Sequence, residues 1–366
     1  MVVRFVKINE QTTHTYREIK EVPLAIEEVL GKIPAIKEIA EYLQERKPRE
    51  IYYIGCGSSY YVAYGAILPL IFEPSEYIGR AVPASEFIWY YSKKNEGSRE
   101  VVVAFSRSGE TGEIIEAVKR AKEKGAIAVG VTCTKGSTLT KITDYSIVIE
   151  KAFENSFVMT KSYVSMQLAG ILLSVHLTGL RDTEKDKIIE DARNLLTTAS
   201  KILDDEKRYR SIAEEDLHVE HFIFLGTTFT HPSMLEASLK FKEMTYSYAE
   251  AMHALEFRHG PIALAKRKDI VIILSMLNDD SLEALIRLYR NLVEKGFQVR
   301  TISNLYGGSQ KFKDISFDVV IPWEGNRYYA SLTYIIPLYL VAYYRAVLKN
   351  YNPDRPEHLV KVVKEF

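Results

Sequence analysis

Three landmarks recur along the chain at a nearly constant offset. Ile54-Gly55 is matched by Leu225-Gly226, Phe105-Ser106 by Leu274-Ser275, and Gly125 before its strand by Gly296 before Phe297 to Ser303; the offsets are 171, 169 and 171 residues. A period of this size implies duplication of a whole folding unit of roughly 150 residues. In the first unit, four β-branched or aromatic runs, Ile51 to Ile54, Val101 to Phe105, Ala126 to Val131 and Tyr145 to Ile149, alternate with helix-patterned segments such as Glu113 to Lys124. Such alternation predicts a parallel sheet covered by helices. The expected fold is α/β: two tandem doubly wound parallel-sheet domains, each a flavodoxin-like three-layer sandwich. The expected divisions are an N-terminal arm at 1–35, a first domain at 36–190, a second at 191–348 and a C-terminal tail at 349–366. The boundary between the halves is expected in the charged, helical stretch Arg181 to Glu215.

Composition removes several classes of function. The 366 residues carry 48 basic and 48 acidic side chains, so no broad positive field attracts nucleic acid or an anionic membrane. Any phosphate has to be gripped locally. Cys56 and Cys133 cannot form a disulfide framework and lie in no zinc-ligand spacing, which fits a reducing, cytoplasmic setting without a metal. Five glutamines beside many Lys, Glu, Ile and Tyr residues match the bias of proteins from hot environments. Met1 to Glu10, with Arg4 and Lys7 inside a short apolar stretch, does not read as a signal peptide. Tyr328 to Tyr344 is uncharged over 17 residues but holds six tyrosines and Pro337, so a buried helix is expected rather than a membrane span. Ser162 to Leu180 receives the same reading.

A doubly wound sheet binds ligands beyond the carboxyl ends of its strands. In the first half the loops there read Gly55-Cys56-Gly57-Ser58-Ser59-Tyr60 and Ser106-Arg107-Ser108-Gly109-Glu110-Thr111. Glycines let the backbone approach an anion, hydroxyls donate to phosphate oxygens, and helix-start amides add positive partial charge. Ser58, Ser59, Ser106, Ser108 and Thr111 thus supply five hydroxyls to a cradle for one phosphate monoester, with Arg107 expected as a further phosphate-binding residue and Gly57 beside them. The alternatives are a strand-to-helix turn that needs glycine for steric reasons and an elaborate N-cap. The corresponding second-half loop carries Asp279-Asp280, which would repel phosphate, so only the first half is expected to bind it. Neither a complete G-x-G-x-x-G nor a Walker loop occurs, and no cofactor is expected.

At these residues the sequence resembles the sugar isomerase (SIS) family, the two-fold phosphosugar-binding domains of glucosamine-6-phosphate synthase and glucosamine-6-phosphate deaminase. The resemblance runs through Arg17-Glu18-Ile19-Lys20-Glu21-Val22-Pro23, Gly57-Ser58-Ser59-Tyr60, Ala84-Ser85-Glu86-Phe87, Ser106 to Thr111 and Met159-Thr160-Lys161. It continues through Glu236, Lys240 and Glu243, then Glu256-Phe257-Arg258-His259-Gly260-Pro261, and ends at Asp354-Arg355-Pro356-Glu357-His358-Leu359-Val360-Lys361. By spacing alone, Glu236, Lys240 and Glu243 share one helix face, as an exposed ion pair also would. Phe241, Met244 and Tyr246 around Glu243 are expected to desolvate it, which suits a carboxylate that moves a proton between neighbouring carbons of an aldose and a ketose. The resemblance implies that His259 opens the sugar ring, that Lys361 reaches the open-chain carbonyl from a lid-like tail, and that Lys240 assists them. It implies sugar contacts from Gly57, Thr160, Lys161 and Glu236, and a homodimer in which His259 acts across the interface.

Among the family's activities, the start Met1-Val2-Val3, with about 20 residues before the first motif, offers no glutaminase domain and hence no ammonia source. Val158-Met159-Thr160-Lys161 replaces the synthase's A-S-T-K and removes a hydroxyl beside the sugar. Both features favour hydrolytic deamination of glucosamine 6-phosphate to fructose 6-phosphate and ammonia. The rival expectations are a synthase-like isomerase domain, a deglycase acting on a phosphosugar-amine conjugate, and a non-catalytic phosphosugar sensor. The last would need the serine cradle but not Glu243, His259 or Lys361.

Overall fold

The computed structural model describes residues 12–94, 99–305 and 312–366. Met1 to Glu10, where the signal-peptide reading falls, lies outside the described residues, as does the first part of the expected arm. Strands β1 (Glu50–Gly55), β2 (Ile78–Pro83), β3 (Glu100–Phe105), β4 (Ile127–Thr132) and β5 (Tyr145–Val148) form a sheet in the order β2-β1-β3-β4-β5. Strands β6 (His221–Gly226), β7 (Tyr248–His253), β8 (Ile270–Met276), β9 (Gln298–Ser303) and β10 (Val319–Val320) form another, in the order β10-β9-β8-β6-β7. Read from its other edge, the second sheet repeats the first, and every pairing is parallel.

The repeat landmarks now have physical meaning. Ile54-Gly55 and Leu225-Gly226 end β1 and β6. Gly125 (φ 84°) and Gly296 (φ 81°) each turn the chain in the left-handed region between a helix and the next strand. Strand β2 is not visible in the sequence because it is a half-exposed edge strand, IGRAVP, without a β-branched run.

The central strands are apolar on both faces because each serves two cores. Ile51 and Tyr53 of β1, Val101 and Val103 of β3, Phe222 and Phe224 of β6, and Val271 and Ile273 of β8 all belong to one cluster that runs from Ile19 to Ala346. The alternate residues Tyr52, Ile54, Val102 and Ala104 face a second cluster, and Ile223, Leu225, Ile272 and Leu274 a third. A single core therefore joins the two halves. The Lys161–Leu177 helix lies inside it with all seventeen residues buried. Among the described residues one helix, Arg327–Leu348, is long and apolar enough to cross a membrane, and 89% of its apolar window is buried in this core.

Arg345 shows how a charge is held there. It is 1% exposed. Its guanidinium donates to Asp216 O at 2.6 Å, to Val219 O and to Ser247 Oγ at 3.3 Å, contacts Glu220, and stacks over Phe222 at 4.8 Å. Arg345→Ala strands these acceptors in a cavity and is expected to destabilise the fold by about 3–5 kcal/mol. A lowered denaturant midpoint, followed by circular dichroism, checks this; an unchanged midpoint refutes it.

Candidate active site

The pairing of β1 with β3, Ile54 opposite Ala104, sets the two serine-bearing loops side by side at the sheet's topological switch point. Between them lies a cleft of about 210 Å³. Gly57 and Ser59 line it from the first loop, Arg107, Ser108 and Thr111 from the second, and Lys361 from the tail. Gly57, at φ 54°, adopts a conformation that any side chain would strain. Ser106 is 2% exposed and sits beneath the loop, its Oγ accepting from Gly109 N at 3.1 Å and lying 3.2 Å from Thr111 Oγ1. Ser108 Oγ accepts from Glu110 N at 3.1 Å. Two of the hydroxyls thus also shape the turn, as the capping alternative required. Met159 lines the cleft beside Ser59, its Sδ 4.0 Å from Ser59 Oγ, where the family pattern has a serine. Burial, then the charge of Glu113, pushes the Cys56 thiol up to about 12, so it supplies no thiolate.

The tail closes the cleft. Gly112, at the start of the Gly112–Glu123 helix, donates its amide to Val363 O at 3.0 Å. Lys361 Nζ donates to Glu154 O at 2.7 Å and Asn155 O at 3.1 Å, and lies 5.4 Å from the Phe153 ring centroid. Partial burial, then the Arg107 charge, lowers its amine below the usual lysine value, while Glu18 and Glu154 oppose that.

Several residues expected at the substrate are occupied elsewhere. Arg107, 9% exposed, lines the cleft but turns both terminal guanidinium nitrogens away to Glu154, to the carbonyls of the 156–158 segment and to Lys361 O. Thr160 is fully buried and gives both its amide and its hydroxyl to Glu154 Oε1, at 2.7 and 2.9 Å. Lys161, 5% exposed, pairs with Glu21 at 2.6 Å. Neither Thr160 nor Lys161 lines the cleft: Thr160 is drawn to a carboxylate six residues earlier, and Lys161 to one that the fold brings near.

Glu236, Lys240 and Glu243 do form one row on the His231–Thr245 helix. Lys240 Nζ lies 3.3 Å from Glu236 Oε1, contacts Glu243 Oε2, and donates to Ser58 Oγ at 3.2 Å. Ser58 therefore faces this row rather than the cleft, while its neighbours Gly57 and Ser59 line the cleft. Glu236 is fully buried behind Lys240 and accepts from Tyr339 OH at 3.3 Å. Burial pushes Glu236 up to about 7 against the pull of Lys240, and Glu243 adds to the rise. Burial alone would lower the Lys240 amine, yet the two carboxylates together hold it above its ordinary value. Glu243 is half-buried; its chain neighbours Phe241 and Met244 are buried, whereas Tyr246 is 43% exposed. His259 stands apart: it is exposed, its amide donates to Glu256 O at 2.9 Å, and its ring neither lines the cleft nor hydrogen-bonds among the described residues.

The residues that sequence reasoning passed over are Glu18 and Glu154. Glu154 has no exposed side-chain surface and accepts from Arg107, Thr160 and Ser162. Glu18 accepts from Asn155 and Ser156. The opening motif held the signal for Glu18 and Glu21, one helical turn apart. Glu154 lay in no motif. Among the described residues no group of three His, Cys, Asp or Glu side chains is placed to hold a metal ion.

The sequence pattern of the SIS domain matches residues 45–176 and 218–349. A glutamine–fructose-6-phosphate aminotransferase (isomerizing) of Thermus thermophilus is 30% identical over 358 residues, covering 95% of this chain and 58% of that protein. The chain thus spans little more than half the length of such relatives. The C-terminal domain of glucosamine-fructose-6-phosphate aminotransferase from Francisella tularensis shares the fold with a TM-score of 0.82 at 23% identity, over 94% of this chain and 98% of that one. Glucosamine-6-phosphate deaminase of Thermotoga maritima superposes with a TM-score of 0.68 at 25% identity, over 93% and 99%.

The raised Glu236 has a consequence for stability. Between its ordinary value of 4.5 and about 7 the carboxyl holds its proton in the folded chain and not in the unfolded one. Its contribution therefore falls as pH rises through that window and is flat above it. Glu236→Gln is expected to remove this slope, seen as denaturation midpoints that diverge from wild type between pH 4.5 and 7; parallel curves refute it.

Proposed function

Because the chain belongs to the SIS-domain family, we propose that it is a phosphosugar enzyme of the aldose-ketose isomerase type that deaminates glucosamine 6-phosphate to fructose 6-phosphate and ammonia. The observation that carries this reading is the meeting of three parts at one switch point. The hydroxyl-lined cleft, the tail lysine and the ion-pair row are linked through the consecutive residues Gly57, Ser58 and Ser59.

In this reading the phosphate lies against Ser59, Ser108 and Thr111 and the amides of the Gly57 turn. His259, contributed by a second copy of the chain in a homodimer, transfers the proton that opens the ring. Glu243 takes the proton from carbon 2 of the open-chain aldehyde and returns it to carbon 1. The resulting carbon-2 imine adds water and releases ammonia, leaving the ketose. Lys240 places the Glu243 carboxylate, and the Lys361 amine meets the carbonyl at carbon 1 once it leaves its two backbone acceptors. Met159 removes one polar contact to the sugar relative to the family pattern.

A second reading, a synthase-like isomerase domain that interconverts phosphosugars with nitrogen supplied from elsewhere, is favoured by the curated relatives, which carry aminotransferase names over a longer chain. Product analysis separates the two. Wild type incubated with glucosamine 6-phosphate is expected to release ammonia and fructose 6-phosphate in equal amounts. Glu243→Gln is expected to lower kcat about 10²–10⁴-fold, and Ser59→Ala to raise KM by about tenfold. If wild type only interconverts aldose and ketose without ammonia, the deaminase reading fails and the second stands; turnover undiminished in Glu243→Gln overturns both.

A further inference from the structure

We infer that Arg107, although it lies in the hydroxyl-rich loop, is a positioning residue that fastens the C-terminal tail over the cleft, and not a ligand of the phosphate. The inference deepens the proposed function, since it rests on Lys361 serving that site. It begins with geometry. Arg107 Nη1 donates to Glu154 Oε2 at 3.2 Å and Val158 O at 3.1 Å, and Nη2 to Phe157 O at 2.9 Å and Lys361 O at 3.3 Å. A guanidinium fork suits several fixed acceptors at once, which an ammonium cannot span. Both terminal nitrogens are thereby committed, and the single Nε–H that remains cannot make the two-pronged contact by which a guanidinium grips phosphate.

The acceptors are the ones that hold the tail. Phe157 N donates to Asp354 O at 2.9 Å, and Arg355 lies 5.4 Å from the Phe157 ring centroid. Asp354 in turn accepts from His14 N at 2.9 Å and Thr15 N at 2.7 Å at the start of the first described helix. Lys361 then returns to the same segment through Glu154 O and Asn155 O. Arg107 is thus the one side chain of the cradle loop that reaches both the 154–158 segment and the tail directly. Removing its fork takes one tie from each at once and leaves the tail to the Phe157–Asp354, Gly112–Val363 and Lys361 contacts.

The charge points the same way. The charged groups that act on the Lys361 amine are Arg107 from the loop after β3, Glu18 from the first described helix and Glu154 from the intervening segment. Arg107 is the only cation among these three. Without it, Glu18 and Glu154 remain unopposed, and a freed tail returns the amine to water; both effects favour the charged amine.

The full chain tests this without relying on turnover. Three quantities are measured for wild type and Arg107→Gln. They are the rate of protease cleavage within the tail under native conditions, the pH midpoint for acetylation of Lys361 followed by mass spectrometry, and the affinity for inorganic phosphate. Arg107→Gln is expected to speed tail cleavage about tenfold, to move the Lys361 midpoint to higher pH, and to leave phosphate affinity undiminished. Arg107→Lys, which keeps a cation beside Glu154, is expected to restore the midpoint partly and the slow cleavage little. It also replaces the glutamine variant in every comparison if that variant melts below the assay temperature. A loss of phosphate affinity of about tenfold or more, with tail cleavage and midpoint unchanged, would make Arg107 a phosphate ligand and overturn the inference. Because cleavage and labelling need no substrate, they decide the matter even if glucosamine 6-phosphate is not turned over.

Discussion

Glu154 is a carboxylate with no access to solvent, and the shape of the site follows from what its burial requires. An unpaired charge there would cost several kcal/mol, so the surrounding chain must supply donors. It does so from three directions: Arg107 from the loop after β3, the Thr160 amide and hydroxyl at 2.7 and 2.9 Å, and Ser162 from the first turn of the buried helix. These bonds fix where the Lys161–Leu177 helix begins and where Met159 enters the cleft. They also hold the segment whose carbonyls accept from Lys361, at 154 and 155, and from Arg107, at 156 to 158. The position of a residue near the end of the chain therefore depends on a charge two hundred residues earlier, whose partners are Arg107 and the short segment that holds Thr160 and Ser162.

The fold was legible because its signals are local. A strand buried on both faces must be apolar throughout, and Val101 to Phe105 shows that without any partner in view. A helix-to-strand turn that needs positive φ shows its glycine, as at Gly125 and Gly296. Strand β2 was not legible because an edge strand need not be apolar. The site was legible only in part, for the same reason. The loops could be placed from strand order, but the direction of each side chain depends on which partners the fold sets around it, several of them far away in sequence. Ser58 and Ser59 are adjacent and chemically alike, yet Lys240 claims one and the cleft the other. Thr160 and Lys161 fell in a motif tied to the substrate, and Glu154 and Glu21 claim them instead. A lone buried glutamate such as Glu154 carries no spacing signal at all.

The same logic explains why duplicated halves came to differ. In the first half, the amide that opens the Gly112–Glu123 helix meets a carbonyl of the C-terminal tail, an acceptor that a ligand can replace. In the second half, the equivalent loop is filled by its own side chains. Asp279 Oδ1 accepts from Ser281 N at 2.8 Å and Ser281 Oγ at 2.6 Å, and Thr227 Oγ1 lies 3.4 Å from Ser281 Oγ. Asp279 thus places a carboxylate in that loop, and like charge disfavours an anion beside it.

The second half contributes in another way. Its His231–Thr245 helix carries two carboxylates and a lysine to the boundary with the first half, where Lys240 reaches Ser58 at 3.2 Å. Glu236, raised toward neutrality by burial, leaves Lys240 and Glu243 as a nearly balanced pair beside a cleft lined by the hydroxyls of Ser59, Ser108 and Thr111 and by one carboxylate of the first half, Glu113. An anionic group can then approach the hydroxyls of one half without meeting an uncompensated negative charge from the other. Overall neutrality of the chain is compatible with anion binding on these terms, because the balance is set within the row of three side chains and not over the surface as a whole.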